Sequence, residues 1–287
     1  MELRLFITVK KTLDLLYPDL PDEKDAFVQQ KLELLRENYK GLHRGNMPDY
    51  SDLFTRFAYL YCYVPFHANV VYKLLNRNSQ EFAQVFNKSE INVACIGGGA
   101  GSDLLGILKY TLESGHKKIP RFQIYDRQNL WQDVLNNLKI ICENSESRFF
   151  ALQLKPLPRV CALDATNFSE QEQLSELKEA DLFTFSFLIS ELYPKDAVNY
   201  FFQTLFEQAK PGAVFLFVDN IHTNLWFDYS AESHIVTLDQ GTEEFCMDST
   251  ERLDHLSPHF GRYCDRNGFP SKPRLKASVV FRICRKG

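Results

Sequence analysis

Two hydrophobic periods divide the chain. As far as about residue 90, apolar side chains recur every three or four positions, the spacing of helices that bury one face. Leu3 to Leu16 forms the first such stretch and ends near Pro18. A second is expected to start after Pro21-Asp22, to run through Phe27, Leu32, Leu34 and Leu35, and to stop at Gly41. A polar link from Gly41 to Tyr50 follows. Ser51-Asp52 then supplies a helix cap ahead of Phe54, Phe57, Ala58 and Tyr61, and Pro65 breaks or bends that helix. The next residues, through Tyr72, mix aromatics with His67 and Asn69 and read either as a packing face or as a wall over a binding site.

From Ile91 onward the pattern changes to short apolar runs alternating with helical stretches, the mark of a mostly parallel sheet flanked by helices. Strands are expected at 91–96, 122–125, 159–163, 182–189 and 213–218, with a terminal strand from Lys276 to Ile283. Helices are expected from Leu104 to about Thr111, from Asn129 to about Asn144, from Ser169 to Ala180 and from Lys195 to Ala209. Trp131 reads as packing its helix against the sheet. Residues 149–154 read as a connecting or edge segment, and 251–266 as a helix disturbed by Pro258. Between 221 and 250 the pattern is mixed; the penultimate strand is expected between the fifth and the seventh, at a position the pattern does not set. The division is a helical N-terminal cap, 1–90, and a sheet domain, 91–287.

Composition narrows the function classes. A net charge of -4 argues against a polycation built for nucleic acid as a whole. The C-terminal portion is nevertheless locally basic, with Arg262, Arg266, Lys272, Arg274, Lys276, Arg282, Arg285 and Lys286. No apolar run is long enough to span a bilayer, and Lys10 and Lys11 interrupt the apolar start, so neither membrane association nor a secretory leader is expected. Seven scattered cysteines without a C-x-x-C pair argue against a disulfide scaffold or a cysteine zinc site, and no metal is expected. The expected location is intracellular, cytoplasmic or nuclear.

The chemistry concentrates at strand ends. After the first strand comes Gly97-Gly98-Gly99-Ala100-Gly101-Ser102-Asp103, a turn that allows positive φ and close approach of a ligand to the backbone. Asp126 ends the second strand, 25 residues beyond Gly101, where a carboxylate can accept from ribose hydroxyls. Asp164-Ala165 follows the third strand, Ser190-Glu191-Leu192-Tyr193 the fourth, and Asp219-Asn220 ends the fifth. Ligands of open α/β sheets bind along this edge.

This succession resembles the Rossmann-like S-adenosylmethionine (SAM)-dependent methyltransferases. The resemblance covers roughly 91–284 and implies a seven-stranded, mostly parallel α/β sheet with flanking helices and an antiparallel terminal strand. SAM is then the implied cofactor. Gly97, Gly98, Gly99 and Gly101 are implied to run beneath its methionine part, with Asp126 at the ribose, Asp164 and Ala165 at the adenine, and Ser190 near the methyl group. Cys95 stands where many members carry an acidic residue, which leaves the methionine ammonium needing another partner. A nicotinamide enzyme fits less well, because the third glycine of its pattern falls at Ser102. The triple-glycine turn with its helical N-terminal attachment is also similar to eukaryotic enzymes that methylate N3 of uridine in large-subunit ribosomal RNA.

Methyl transfer from a sulfonium is an in-line displacement, so the protein mainly positions donor and acceptor. The candidate catalytic residues are Glu191, as proton acceptor or as partner of the cofactor ammonium, and Tyr193, which would orient a planar acceptor. Candidate acceptor-binding residues are Tyr63, His67, Asn220 and His222. The chain lacks the Asn/Asp-Pro-Pro-Tyr/Phe signature of many exocyclic-amine methyltransferases, and it lacks the Pro-Cys of the cysteine-dependent pyrimidine enzymes. The acceptor is read as an RNA base, or else a protein or small molecule. A second class also stays open: a non-catalytic SAM-binding sensor or scaffold acting through protein partners.

Overall fold

In the computed structural model the described residues are 3–17, 25–41, 47–116, 118–144, 158–167, 177–192, 195–223, 234–251 and 273–287. Among the described residues five helices precede the first strand: α1 (Leu5–Leu16), α2 (Asp25–Lys40), α3 (Leu53–Cys62), α4 (Val64–Arg77) and α5 (Ser79–Phe86). The expected cap is present, since the Asp52 carboxylate accepts from Thr55 N–H at 2.7 Å and opens α3. Pro65 does not merely bend a helix. It sits in the first turn of a new one, α4, where its missing N–H has no helical partner to lose.

The sheet consists of β1 (Asn92–Ile96), β2 (Arg121–Asp126), β3 (Val160–Ala162), β4 (Leu182–Ser186), β5 (Val214–Asn220), β6 (Ile235–Cys246) and β7 (Lys276–Lys286). Its seven strands lie in the order β3-β2-β1-β4-β5-β7-β6. The pairs among β1 to β5 are parallel, and β7 runs antiparallel to both its neighbours. Helices α6 (Ser102–Glu113), α7 (Gln132–Asn144) and α8 (Lys195–Gln208) complete the described architecture. The residues 149–154 and most of 169–180 and 251–266 lie outside the described residues.

Two expectations change. The last strand, not the penultimate one, lies beside β5. Residues Val279, Phe281 and Ile283 of β7 are buried, as an inner strand requires, whereas β6 carries Thr237, Asp239, Thr242, Glu243 and Glu244, charged and polar side chains suited to an edge. The fourth strand also stops early, at Ser186: Phe187 takes φ +57°, and a 3-10 turn, Ile189–Glu191, replaces the expected strand end.

Strand alternation sorts the core into two layers. Val93 and Cys95 of β1 face the layer that contains α1, α4 and α6, while Ala94 and Ile96 face α8. On the α8 side the phenylalanines form cross-strand pairs: Phe183 stacks on Phe215 at 4.8 Å and Phe185 on Phe217 at 4.5 Å, with Phe202 and Phe206 of α8 packed nearby. On the other side α4 crosses α6 at Gly106, where a Cβ would come within 2.6 Å of the Ala68 carbonyl oxygen. The N-terminal helices therefore share one core with the sheet.

A buried polar junction anchors α1. Glu251 accepts from Leu5 N–H at 2.8 Å and Phe6 N–H at 3.1 Å, and Lys109 of α6 donates to the same carboxylate at 3.1 Å. Charge and helix-end donors are satisfied together.

Candidate active site

The site is built on the carboxyl ends of β1 to β5. Beyond Ile96 the backbone turns sharply: Gly97 takes φ +68°, and its N–H donates to the Tyr125 carbonyl at 2.7 Å. Gly101, at φ +81°, opens α6. Gly99 is needed for a different reason, since a Cβ there would stand 2.1 Å from the Trp131 ring and 2.6 Å from the Asp126 carboxylate.

Asp126 is tied to that turn. One carboxylate oxygen accepts from Gly99 N–H at 3.0 Å and the other from Gln128 N–H at 2.8 Å. Burial raises its pKa from 3.8 to about 6, and the two amides act against the rise. Beside it, the Asp164 carboxylate accepts from Thr166 N–H at 2.9 Å and closes the turn after β3.

A cavity of about 190 Å³ runs along this edge, and Gly97, Asp126, Asp164, Ala165, Ser186 and Glu191 are among its lining residues. Its wall is aromatic. Tyr50, Tyr59 and Trp131 all line it, with ring centroids 5.3 to 5.9 Å apart. Trp131 thus does more than the packing expected of it; it is buried at the end of the 3-10 turn Asn129–Trp131, ahead of α7, and also lines the cavity.

Glu191 also lines this cavity. Its Oε1 accepts from Tyr39 at 3.0 Å and from Tyr50 at 3.2 Å, and the two phenolic oxygens lie 2.7 Å apart. Burial raises the carboxyl pKa from 4.5 to about 8; the tyrosine hydroxyls oppose the rise, and the neighbouring charges of Asp219 and Asp126 add to it. Both tyrosines are themselves pushed well above 10 by burial and by the Glu191 charge, so they remain donors.

Asp219 holds Glu191 in place. Buried at the end of β5, it accepts from Ser190 N–H at 2.8 Å, Asn220 N–H at 2.6 Å and the Thr223 hydroxyl at 3.1 Å. The turn that carries Glu191 is thereby pinned to the neighbouring strand. Ser190 itself is not among the cavity-lining residues, and its hydroxyl accepts from Asn220 at 3.3 Å.

Of the other expected residues, Gly98 shapes the turn: its carbonyl accepts from Gly101 N–H at 2.8 Å. Tyr63 and His67 stand behind the aromatic wall. Tyr63 packs edge-on to Tyr39 at 5.1 Å, and Arg274 lies 5.8 Å above the Tyr63 ring. His67 is buried, stacks on Phe187 at 3.6 Å and meets the Tyr59 hydroxyl at 3.3 Å. Burial, assisted by the Arg274 charge, holds its pKa well below 6.5, so its ring is neutral. His222 is exposed just past β5 and does not line the cavity, and Tyr193 lies outside the described residues.

The sequence reading missed Tyr39, Tyr50 and Asp219 as parts of this site. Only Asp219 carried a usable signal, as an acidic residue at a strand end. Tyr39 and Tyr50 flank what reads as a polar link.

A family model described as "Putative SAM-dependent methyltransferase" matches residues 50–223, more than half of the chain. No curated protein matches. Among solved structures, the chain is similar to an O-methyltransferase family protein from Burkholderia thailandensis, with 10% identity over 90% of this chain and 70% of that one, at a TM-score of 0.44. It is also similar to a "putative sarcosine dimethylglycine methyltransferase" from Galdieria sulphuraria, with 12% identity over 76% of this chain and 86% of that one, at a TM-score of 0.41. A third is a TehB-like SAM-dependent methyltransferase from Corynebacterium glutamicum, with 10% identity over 78% and 100% of the two chains and a TM-score of 0.36. At these values the assignment rests on the family model. The chain belongs to this family of SAM-dependent methyltransferases, and SAM is its cofactor.

Proposed function

We propose that this enzyme methylates a weakly acidic ring N–H, with a base in RNA as the acceptor, and that Glu191 takes the proton. The observation that carries this reading is the Glu191 carboxyl: at the wall of the cavity that also receives the glycine turn, its pKa is raised to about 8 and two tyrosine hydroxyls orient it. A carboxylate of ordinary acidity would be too weak a base for such a proton, whereas one poised near the working pH suits it. Tyr50, Tyr59 and Trp131 offer flat apolar faces on which a base can stack.

Two features support cofactor binding along the same edge. The turn at Gly97 to Gly101 is kept free of side chains at the point where the Asp126 carboxylate reaches it. Asp164 and Ala165 line the adjoining part of the cavity. In this reading Gly97, Gly98, Gly99 and Gly101 lie along the methionine part, Asp126 accepts from the ribose hydroxyls, and Asp164 with Ala165 takes the adenine. The bound cofactor supplies a methyl group on a sulfonium, which leaves as a neutral thioether. Glu191 accepts the ring proton, Tyr39 and Tyr50 keep its oxygens aimed, and the aromatic wall excludes water from the displacement.

The test is a methylation assay with labelled SAM and three separate pools: total RNA, cell protein and small metabolites. Label recovered in an RNA nucleoside methylated on a ring nitrogen is the expected result. Label found in the protein or metabolite pool alone would overturn the acceptor assignment.

A further inference from the structure

The turn at Gly97 to Gly101 has an unusual neighbour beneath it. Asp103, in the first turn of α6, is 1% exposed, and neither of its carboxylate oxygens has a hydrogen-bond partner. The hydroxyls of Thr184 and Ser186, at the end of β4, are likewise buried without a partner. Cys95 completes the group. A Cβ at Gly98 would strike the Cys95 Cβ at 2.6 Å, which puts this side chain against the turn, and burial, with the Asp103 charge adding to it, raises the thiol's pKa. Ser186 lines the cavity. Asp103 does not itself line the cavity, but the lining residue Ser186 is close enough to it to act on its pKa.

An unpartnered buried carboxylate is costly, and structural carboxylates in the same protein avoid that cost. Asp126 accepts from two amides, Asp219 from two amides and a hydroxyl, and Glu251 from two amides and a lysine. Asp103 alone of these four accepts from no backbone amide, and no lysine or arginine is paired with it among the described residues; the Ser186 and Thr184 hydroxyls stand near enough to lower its pKa but do not offset the effect of burial. What would satisfy it is a compact cation with several N–H donors arriving from the cavity. The cofactor carries one, the α-ammonium of its methionine part.

We propose that Asp103 is the counter-charge for the cofactor's α-ammonium. The ionised form that burial disfavours in the free protein, where the pKa is raised from 3.8 to about 6, becomes favoured once the ammonium is beside it. The assignment needs only the cofactor and is independent of the acceptor reading above.

Calorimetric titration of the wild type and of Asp103→Asn with S-adenosylhomocysteine and with 5′-methylthioadenosine tests it, since the second ligand lacks the amino-acid group. The expected result is a loss of about 10- to 100-fold in affinity for S-adenosylhomocysteine, the range of a charge-assisted hydrogen bond, with methylthioadenosine affinity unchanged. The unliganded variant should melt at or above the wild-type temperature, because the substitution removes a buried group without partners. Equal losses for both ligands, no loss for either, or a variant that melts well below the wild type would overturn the proposal and make Asp103 a structural residue. Failure of wild-type protein to bind either ligand would also overturn it, and would place the fault in the cavity rather than in Asp103.

Discussion

Asp126 and Glu191 line the same cavity, both are enclosed, and both have raised pKa values, yet they end in different protonation states. Two backbone amides donate to Asp126, which comes to about 6 and is mainly ionised at neutral pH. Glu191 has two tyrosine hydroxyls and two neighbouring carboxylates, and it comes to about 8. Amide N–H groups fixed by a turn hold a negative charge in place, whereas hydroxyls that also bond each other hold it less firmly. The first carboxylate is suited to receive hydrogen bonds from a ligand and the second to receive a proton. In the proposed reading one sheet edge then has a binding end and a reacting end, set apart by burial, by the neighbouring charges and by the donors each acid is given.

The largest effect is expected at the proposed reacting end. Glu191→Gln is expected to lower turnover by about 100- to 10,000-fold, the usual worth of a positioned base, while the Kd for S-adenosylhomocysteine stays within about twofold. Single-turnover kinetics and calorimetry on the same preparation read the two effects. If affinity falls and the rate constant holds, Glu191 belongs with cofactor recognition.

At the binding end the pattern should reverse. Asp126→Ala is expected to weaken S-adenosylhomocysteine by about 10- to 100-fold, as the loss of charge-assisted hydrogen bonds implies, with cooperative unfolding retained. Gly99→Val should act in the same direction, because its side chain would displace both the Trp131 ring and the Asp126 carboxylate. Unchanged calorimetric binding in both variants would remove the cofactor from this turn.

A smaller effect is expected through Asp219, a positioning residue. The wild-type rate should rise with pH through about 8 as Glu191 loses its proton. Asp219→Asn removes one of the charges that raise that value, so the midpoint should move to lower pH. A fall in rate at every pH with an unmoved midpoint would limit Asp219 to holding the turn.

The weakest signal is in stability. An unfolded chain releases the Glu191 proton near 4.5 and the folded one near 8, so between these values the folded state binds more protons. Stability from this group is therefore fully present below about 4.5 and is lost as the pH rises through about 8. Thermal unfolding across that window should decline less steeply in Glu191→Gln than in the wild type.

The proposed binding end was legible in the residues. A glycine turn, Asp126 and Asp164 stand at three successive strand ends, and each lies within a short stretch whose apolar period gives it away. The proposed reacting end was legible only in part: Glu191 could be named, but its two readings could not be separated. Its donors come from far along the chain, 152 and 141 residues away, and one of them closes a stretch that reads as a link. Trp131 was expected on the helix but ends the 3-10 turn before α7 and lines the cavity, since helical period identifies the buried face and not everything that face touches.

By itself, the sequence determined the alternation of helices and strands, the backbone freedom of the turn, and the acids that meet at the sheet edge, because these depend on neighbours within a few residues. Only the tertiary structure decided that β7 lies inside β6, that Tyr39 and Tyr50 reach Glu191, and that Asp103 is buried without a donor. Strand order depends on which face each strand can bury, and a carboxyl's proton affinity on the donors and charges packed around it. Both are set by contacts between segments distant in the chain.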